Sequence, residues 1–181
     1  MRSIYSPEED SYLLSRILKK KIPKLVKKNP DLKFLEIGSG SGIQLQTAFD
    51  SGIKKENIFS CDVNPQAVKE CKKLGFNCIK SDLFEKINGK FDLIVFNPPY
   101  LPTDESEPLD SRLATTGGKN GSEIINRFLK QAKNYLKKDG KIFLVSSSLT
   151  KGLDFSGYKK KKIGEEKLFF EKLFVFEIIP L

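Results

Sequence analysis

Asn97, Pro98, Pro99 and Tyr100 follow directly on Asp92-Leu93-Ile94-Val95-Phe96. The apolar run reads as a strand covered on both faces. Within one residue it gives way to a stiff polar corner. Each proline fixes its own φ, lacks an N–H and pushes its predecessor toward extended conformations, so Asn97 and Pro98 are both restrained. Such a corner holds an amide side chain and a backbone carbonyl at a strand end, with an aromatic ring alongside. An amide nitrogen is a poor nucleophile because its lone pair is delocalised. Two acceptors aimed at its N–H bonds orient it and stabilise the positive charge that develops as it attacks an electrophilic methyl group. The Asn97 side-chain oxygen and the Pro98 carbonyl are two such acceptors, and Tyr100 is expected to cover the flat face of the acceptor group. Asn97, Pro98, Pro99 and Tyr100 are therefore the expected substrate contacts, with Asn97, Pro98 and Tyr100 in the catalytic role. An exocyclic base amine would suit the same corner. No general base is needed before transfer, and the chain contains no His to supply the usual one. Asn and Pro are also ordinary turn residues. The full Asn-Pro-Pro-Tyr directly after a buried strand favours chemistry over a bare turn.

A second group of residues suits a nucleoside-bearing cofactor. Phe34-Leu35-Glu36-Ile37-Gly38-Ser39-Gly40-Ser41-Gly42 reads as strand, Gly-rich turn and helix start. Glycines let a backbone turn sharply and approach a ligand. The spacing is G-x-G-x-G, where a dinucleotide fold prefers G-x-G-x-x-G. Glu36 just before the turn would repel a pyrophosphate and attract a sulfonium cofactor carrying an ammonium group. Asp62 ends the next predicted strand twenty residues after Gly42, the offset at which a carboxylate takes ribose hydroxyls.

These residues need a frame. Ser6-Pro7-Glu8-Glu9 predicts a helix start with Ser6 as cap, and Tyr12, Leu13, Ile17 and Leu18 are its expected sheet-facing residues. Strands are expected at 34–37, 57–62, 76–80 and 92–96, with helices after the Gly-rich turn and after Asn64-Pro65. A long loop spans 101–121 and is expected to cover the substrate. A helix follows from Glu123 to Leu136, then a strand over 141–146. The segment 147–158 leaves room for a turn or two of helix. Two closing strands, 160–163 and 168–179, are joined by Gly164-Glu165-Glu166 as a hairpin turn. The expected fold is α/β and Rossmann-like: a seven-stranded, mostly parallel sheet with an antiparallel C-terminal hairpin in a single domain at 31–181, preceded by an extension and helix at 1–30. The first and fourth strands would flank the switch point, where such sheets bind ligands. Gly38–Gly42 and Asn97–Tyr100, almost sixty residues apart, would then face one cleft.

Composition narrows the classes further. No stretch reads as a signal peptide or membrane span, so a soluble, cytoplasmic protein is expected. Cys61, Cys71 and Cys78 form no C-x-x-C pair, and with no His a zinc site within the chain is not expected. Cys61 is expected to be a small buried hydrophobe. The net charge of +9 fits contact with the ribosome or RNA as well as it fits a lysine-rich solvated surface. The runs Lys19–Lys21 and Lys159–Lys162 lack the interleaved aromatics of a base-stacking surface.

With these motifs in order along nearly the whole chain, the sequence resembles the class I S-adenosylmethionine-dependent methyltransferases that modify amide or amine nitrogens. More narrowly it resembles the archaeal and eukaryotic branch of the HemK-related protein-glutamine N5-methyltransferases. Tyr5-Ser6-Pro7-Glu8-Glu9-Asp10-Ser11, Asp62-Val63-Asn64-Pro65, Ser81-Asp82-Leu83 and Gly117–Gly121 match that branch as well. The resemblance implies that Ser11, Glu36, Gly38, Gly40, Asp62, Asp82, Leu83 and Asn97 bind S-adenosylmethionine, with Asp82 taking the adenine amino group. It implies as substrate the Gln of the Gly-Gly-Gln loop of a class I translation termination factor, and a small zinc-binding activator subunit as partner. Two other readings are open at this level. One is a nucleic-acid adenine N6-methyltransferase acting on a flipped base. The acidic run Asp104, Glu105, Glu107 and Asp110, and the lack of a target-recognition domain, count against it. The other is a non-catalytic cofactor-binding scaffold, which would require a decayed corner.

Overall fold

A computed structural model describes residues 4–104, 106, 108, 112 and 114–181. Its frame is a sheet of seven strands in the order β3-β2-β1-β4-β7-β9-β8. The strands are β1 Phe34–Ile37, β2 Ile58–Asp62, β3 Asn77–Lys80, β4 Phe91–Phe96, β7 Leu136–Ser147, β8 Tyr158–Lys167 and β9 Lys172–Pro180. The first five run parallel, and β9 is antiparallel to both β7 and β8. A separate parallel pair joins β5 Leu101–Pro102 to β6 Thr116–Gly118. The helices that frame the site are α1 Glu9–Lys28, α2 Ile43–Asp50, α3 Pro65–Lys73 and α4 Glu123–Ala132.

The order of the sheet reverses between β1 and β4. Their register places Ile37 opposite Phe96, so Gly38 and Asn97 leave neighbouring strand ends together. Every residue of β1 is buried, and β4 is buried except at Asp92. Strands covered on both faces explain why both read as continuous apolar runs. On α4 the apolar stripe Ile125, Phe128, Leu129 and Ala132 is buried. Phe128 packs on Phe96 and on Phe84, with ring centroids 4.8 and 5.4 Å away. The end of β4 is thereby clamped between the Gly-rich turn and a helix.

Several boundaries differ from the sequence expectation, each for a visible reason. α1 begins at Glu9, with Glu8 extended in the cap position and no side-chain cap bond. The residues before it are held otherwise: the Tyr5 hydroxyl donates to Asp10 Oδ1 at 3.1 Å. Leu14, not Tyr12, joins Leu13 and Leu18 in the core, and Tyr12 is half exposed. α4 stops at Ala132, and after one 3₁₀ turn Leu136 already belongs to β7, opposite Phe91. Tyr158 fastens that end. Its hydroxyl accepts from the Lys133 N–H at 3.1 Å and donates to the Leu129 carbonyl at 2.6 Å. The segment 148–157 contains turns but no helix. The hairpin turn is Leu168–Glu171 instead of Gly164–Glu166. The register of β8 shifts between Lys162 and Gly164, where α1 comes close: a Cβ on Gly164 would lie 3.0 Å from Ile17. The loop 101–121 is closed at its root by the β5–β6 pair. Glu105, Glu107 and Asp110 lie outside the described residues.

Candidate active site

At the carboxyl ends of β1, β2 and β4 lies a cavity walled by the Gly-rich turn, the acid after β2, the turn after β3 and the polar corner after β4. Ser11, Glu36, Gly38, Gly40, Asp62, Asp82, Leu83, Asn97, Pro98 and Pro99 all line it, so the motifs read in sequence converge as the topology requires. Tyr100 does not line it. That residue is buried, and its hydroxyl donates to Asp10 Oδ2 at 3.1 Å.

Each acid has a distinct setting. Glu36 is 2% exposed, and its Oε2 meets no donor. Burial, and then the neighbouring Asp62 charge, hold its carboxyl well above the usual range. Asp62 is also raised, chiefly by burial, but less freely: it accepts from Asn64 N–H at 2.8 Å and Gly40 N–H at 2.9 Å. It thus braces the Gly-rich turn while presenting its carboxylate to the cavity. Asp82 is part exposed and paired with Arg127 at 2.9 Å. Leu83 beside it has φ +46, a left-handed backbone that a branched side chain rarely adopts.

Four buried side-chain oxygens and hydroxyls among the described residues have no partner, and three of them line this one cavity: Glu36 Oε2, Gln44 Oε1 and Asn97 Oδ1. An unpaired buried acceptor costs on the order of 1–3 kcal/mol. Three in one cavity are the signature of a ligand rich in N–H or O–H donors, and one of them, a carboxylate, suits a cation. The residues fit a sulfonium cofactor with an ammonium group. Asn97 Nδ2 reaches Ser11 Oγ at 3.4 Å, and Gln44 Nε2 donates to the Ser11 carbonyl at 2.8 Å, so the start of α1 holds both amides in place.

The corner is held from outside by glycines. A Cβ on Gly117 would lie 2.5 Å from the Pro99 carbonyl oxygen, and one on Gly121 would lie 2.2 Å from that of Tyr100. Only Gly allows the 116–121 segment to lie flat on the corner's backbone.

Asp10, Gln44 and Arg127 were not singled out from the sequence. Gln44 stands two residues past Gly42 in the first turn of α2, where a side chain points back over the glycine turn, and that position was a usable signal. Nothing local distinguishes Arg127 from other surface cations on an amphipathic helix.

The chain matches the methyltransferase small domain family over residues 11–153. It is 42% identical, over 95% of its length and 89% of the relative's, to a protein of Methanocaldococcus jannaschii provisionally named a protein N5-glutamine methyltransferase. It is 30% identical to the eRF1 methyltransferase catalytic subunit mtq2 of Schizosaccharomyces pombe, covering 83% of this chain and 75% of that one. In fold it is similar to a SAM-dependent methyltransferase of Bacteroides fragilis in complex with S-adenosyl-L-homocysteine, with a TM-score of 0.55 at 17% identity, covering 92% and 81% of the two chains. A match across most of the chain, at that level of identity, makes this protein a methyltransferase of the methyltransferase small domain family.

Proposed function

We propose that the enzyme methylates the side-chain amide nitrogen of the Gln in the Gly-Gly-Gln loop of a class I translation termination factor. The names of its relatives support this substrate, one being an eRF1 methyltransferase and the other a protein N5-glutamine methyltransferase. The observation that carries the reading is Asn97 Oδ1, a buried acceptor without a donor in the wall of the cavity that the cofactor motifs line. S-adenosylmethionine, when bound, supplies the electrophilic methyl group. Glu36 and Gln44 take its donors, Asp62 the ribose hydroxyls, and Asp82, with Arg127 and the Leu83 turn, the base. Asn97 Oδ1 and the Pro98 carbonyl take the two N–H bonds of the acceptor amide. Pro99 stiffens the corner, and Tyr100 packs behind it. No residue is required to remove a proton before transfer. Most of the acceleration is proximity and alignment, up to about 7–11 kcal/mol when ideal.

A small zinc-binding partner subunit belongs to this reading; the words "catalytic subunit" in the name of the Schizosaccharomyces pombe relative support a further subunit for that protein, and its zinc is what the family resemblance implies. The test is transfer of labelled methyl to a termination factor with the candidate partner present, to the same factor with that Gln changed, and to duplex DNA. Label on the intact factor alone is expected. Label on DNA, or on the Gln variant, would reject the substrate. Asn97→Ala is expected to abolish turnover while calorimetry still shows cofactor binding. Normal turnover by that variant would remove Asn97 from the mechanism.

A further inference from the structure

Two phenylalanines stand where a hairpin turn normally carries Gly, Asn or Pro. Phe169 and Phe170 are 92% and 86% exposed, with ring centroids 4.7 Å apart at 80°. They are the central residues of the β8–β9 turn, closed by Leu168 N–H to the Glu171 carbonyl at 2.8 Å. Each ring leaves apolar surface in water that a partner could cover. Neither lines the cofactor cavity.

The turn is tied to the catalytic corner. Ser147, at the carboxyl end of β7, donates to the Glu171 carboxylate, and Ser148 N–H donates to the Lys172 carbonyl at 2.8 Å. Two residues on, Thr150 Oγ1 donates to the Tyr100 carbonyl at 2.8 Å, and Lys151 N–H to the Asn120 carbonyl at 2.9 Å. The Phe pair, the 148–151 turn and the Asn-Pro-Pro-Tyr corner therefore form one hydrogen-bonded rim at one end of the sheet. Leu149 on that rim is also exposed, as are Lys151 beside it and Lys167 and Lys172 on either side of the Phe turn, while Glu171 of the turn is taken up by Ser147.

We propose that Phe169 and Phe170 are a docking point for the acceptor protein itself, on a surface of apolar side chains bordered by carboxylates at a distance from the methylated amide. The occupant follows from continuity: a folded protein that lays its amide on Asn97 spreads over the rim around it, and the exposed lysines complement acidic borders. The proposal rests on the acceptor being a protein, as argued under the proposed function.

The experiment compares Phe169→Ser/Phe170→Ser with the wild type, partner subunit present, on two acceptors: the folded termination factor and a short peptide containing Gly-Gly-Gln. The expected result is a rise in KM for the folded factor of roughly tenfold or more, the loss typical of an aromatic anchor, with kcat and the peptide kinetics unchanged. An unchanged KM for the folded factor overturns the proposal, and so does an equal loss on both acceptors. Sedimentation of both forms, alone and with the partner subunit, covers the other occupants. A self-association or subunit complex that the substitutions abolish would reassign the patch and overturn the proposal. A wild type that labels neither acceptor rejects the amide reading first, and docking falls with it.

Discussion

Glu36 places an ionisable oxygen, without a donor, in the cavity that the Gly-rich turn also lines. Its carboxyl is raised by burial and by the charge of Asp62, so the free protein favours its neutral form at pH values where an ordinary carboxyl is ionised. A cationic ligand needs the anion. Binding should therefore release a proton, and affinity should rise with pH through the raised value. For the free fold the sign is opposite: the stability associated with neutral Glu36 is present at low pH and is lost as pH climbs from the usual carboxylate range through the raised folded value. Calorimetry of cofactor binding in buffers of different ionisation enthalpy checks this. Proton release is expected for the wild type and should vanish in Glu36→Gln. No release in the wild type would mean that Glu36 is ionised before binding. The acid and its place before the glycines were legible from residue types alone. Its lack of a donor was not, because that depends on what β2 and α2 bring near it.

Elements decide how rigidly the corner is held. The Gly117–Gly121 segment lies against the Pro99 and Tyr100 carbonyls, and Gly121 has φ +81. Gly121→Val would collide with the Tyr100 carbonyl oxygen and strain its own backbone. If the corner aligns the acceptor as proposed, turnover falls about a hundredfold, the cost of a displacement near 1 Å, while cofactor affinity stays close to that of the wild type. Steady-state kinetics and calorimetry on the same preparation separate the two, and an equal loss of both would show that the segment supports the whole cavity. Strand and helix identities were mostly legible at this scale. At the start of α1 the Tyr5 bond to Asp10, five residues on, replaced the expected cap; elsewhere boundaries failed where a distant side chain took over: Tyr158 at the end of α4, and Ile17 against Gly164 in β8. No local pattern contains those partners.

At the scale of the whole molecule, the seven-stranded sheet ends in two edge strands, β3 and β8. The Lys159–Lys162 run, ambiguous in sequence, lies exposed along β8. Lys160 Nζ sits 4.1 Å from the Phe155 ring centroid, and Lys162 Nζ 5.2 Å from that of Phe174, so both cover aromatic rings while keeping their charge. Lysines on an edge strand discourage pairing with another chain. Lys159→Val/Lys161→Val is accordingly expected to increase self-association, seen as a larger species in sedimentation or light scattering. A variant that stays as monodisperse as the wild type would leave the run to other roles. Among the described residues no helix is long and apolar enough to cross a membrane. Sequence by itself determined the α/β order, which implies the reversal that sets β1 beside β4, and ten of the residues that line the cavity, because apolar runs, glycine turns and Pro-Pro stiffness act within a few residues. Tertiary structure alone decided which buried acceptors stay unpaired, that Tyr100 stays out of the cavity wall with its hydroxyl on Asp10, that Arg127 meets Asp82, and that a Phe-Phe turn borders the corner. The Tyr100–Asp10 and Arg127–Asp82 contacts span 90 and 45 positions of chain, and only packing brings such side chains together.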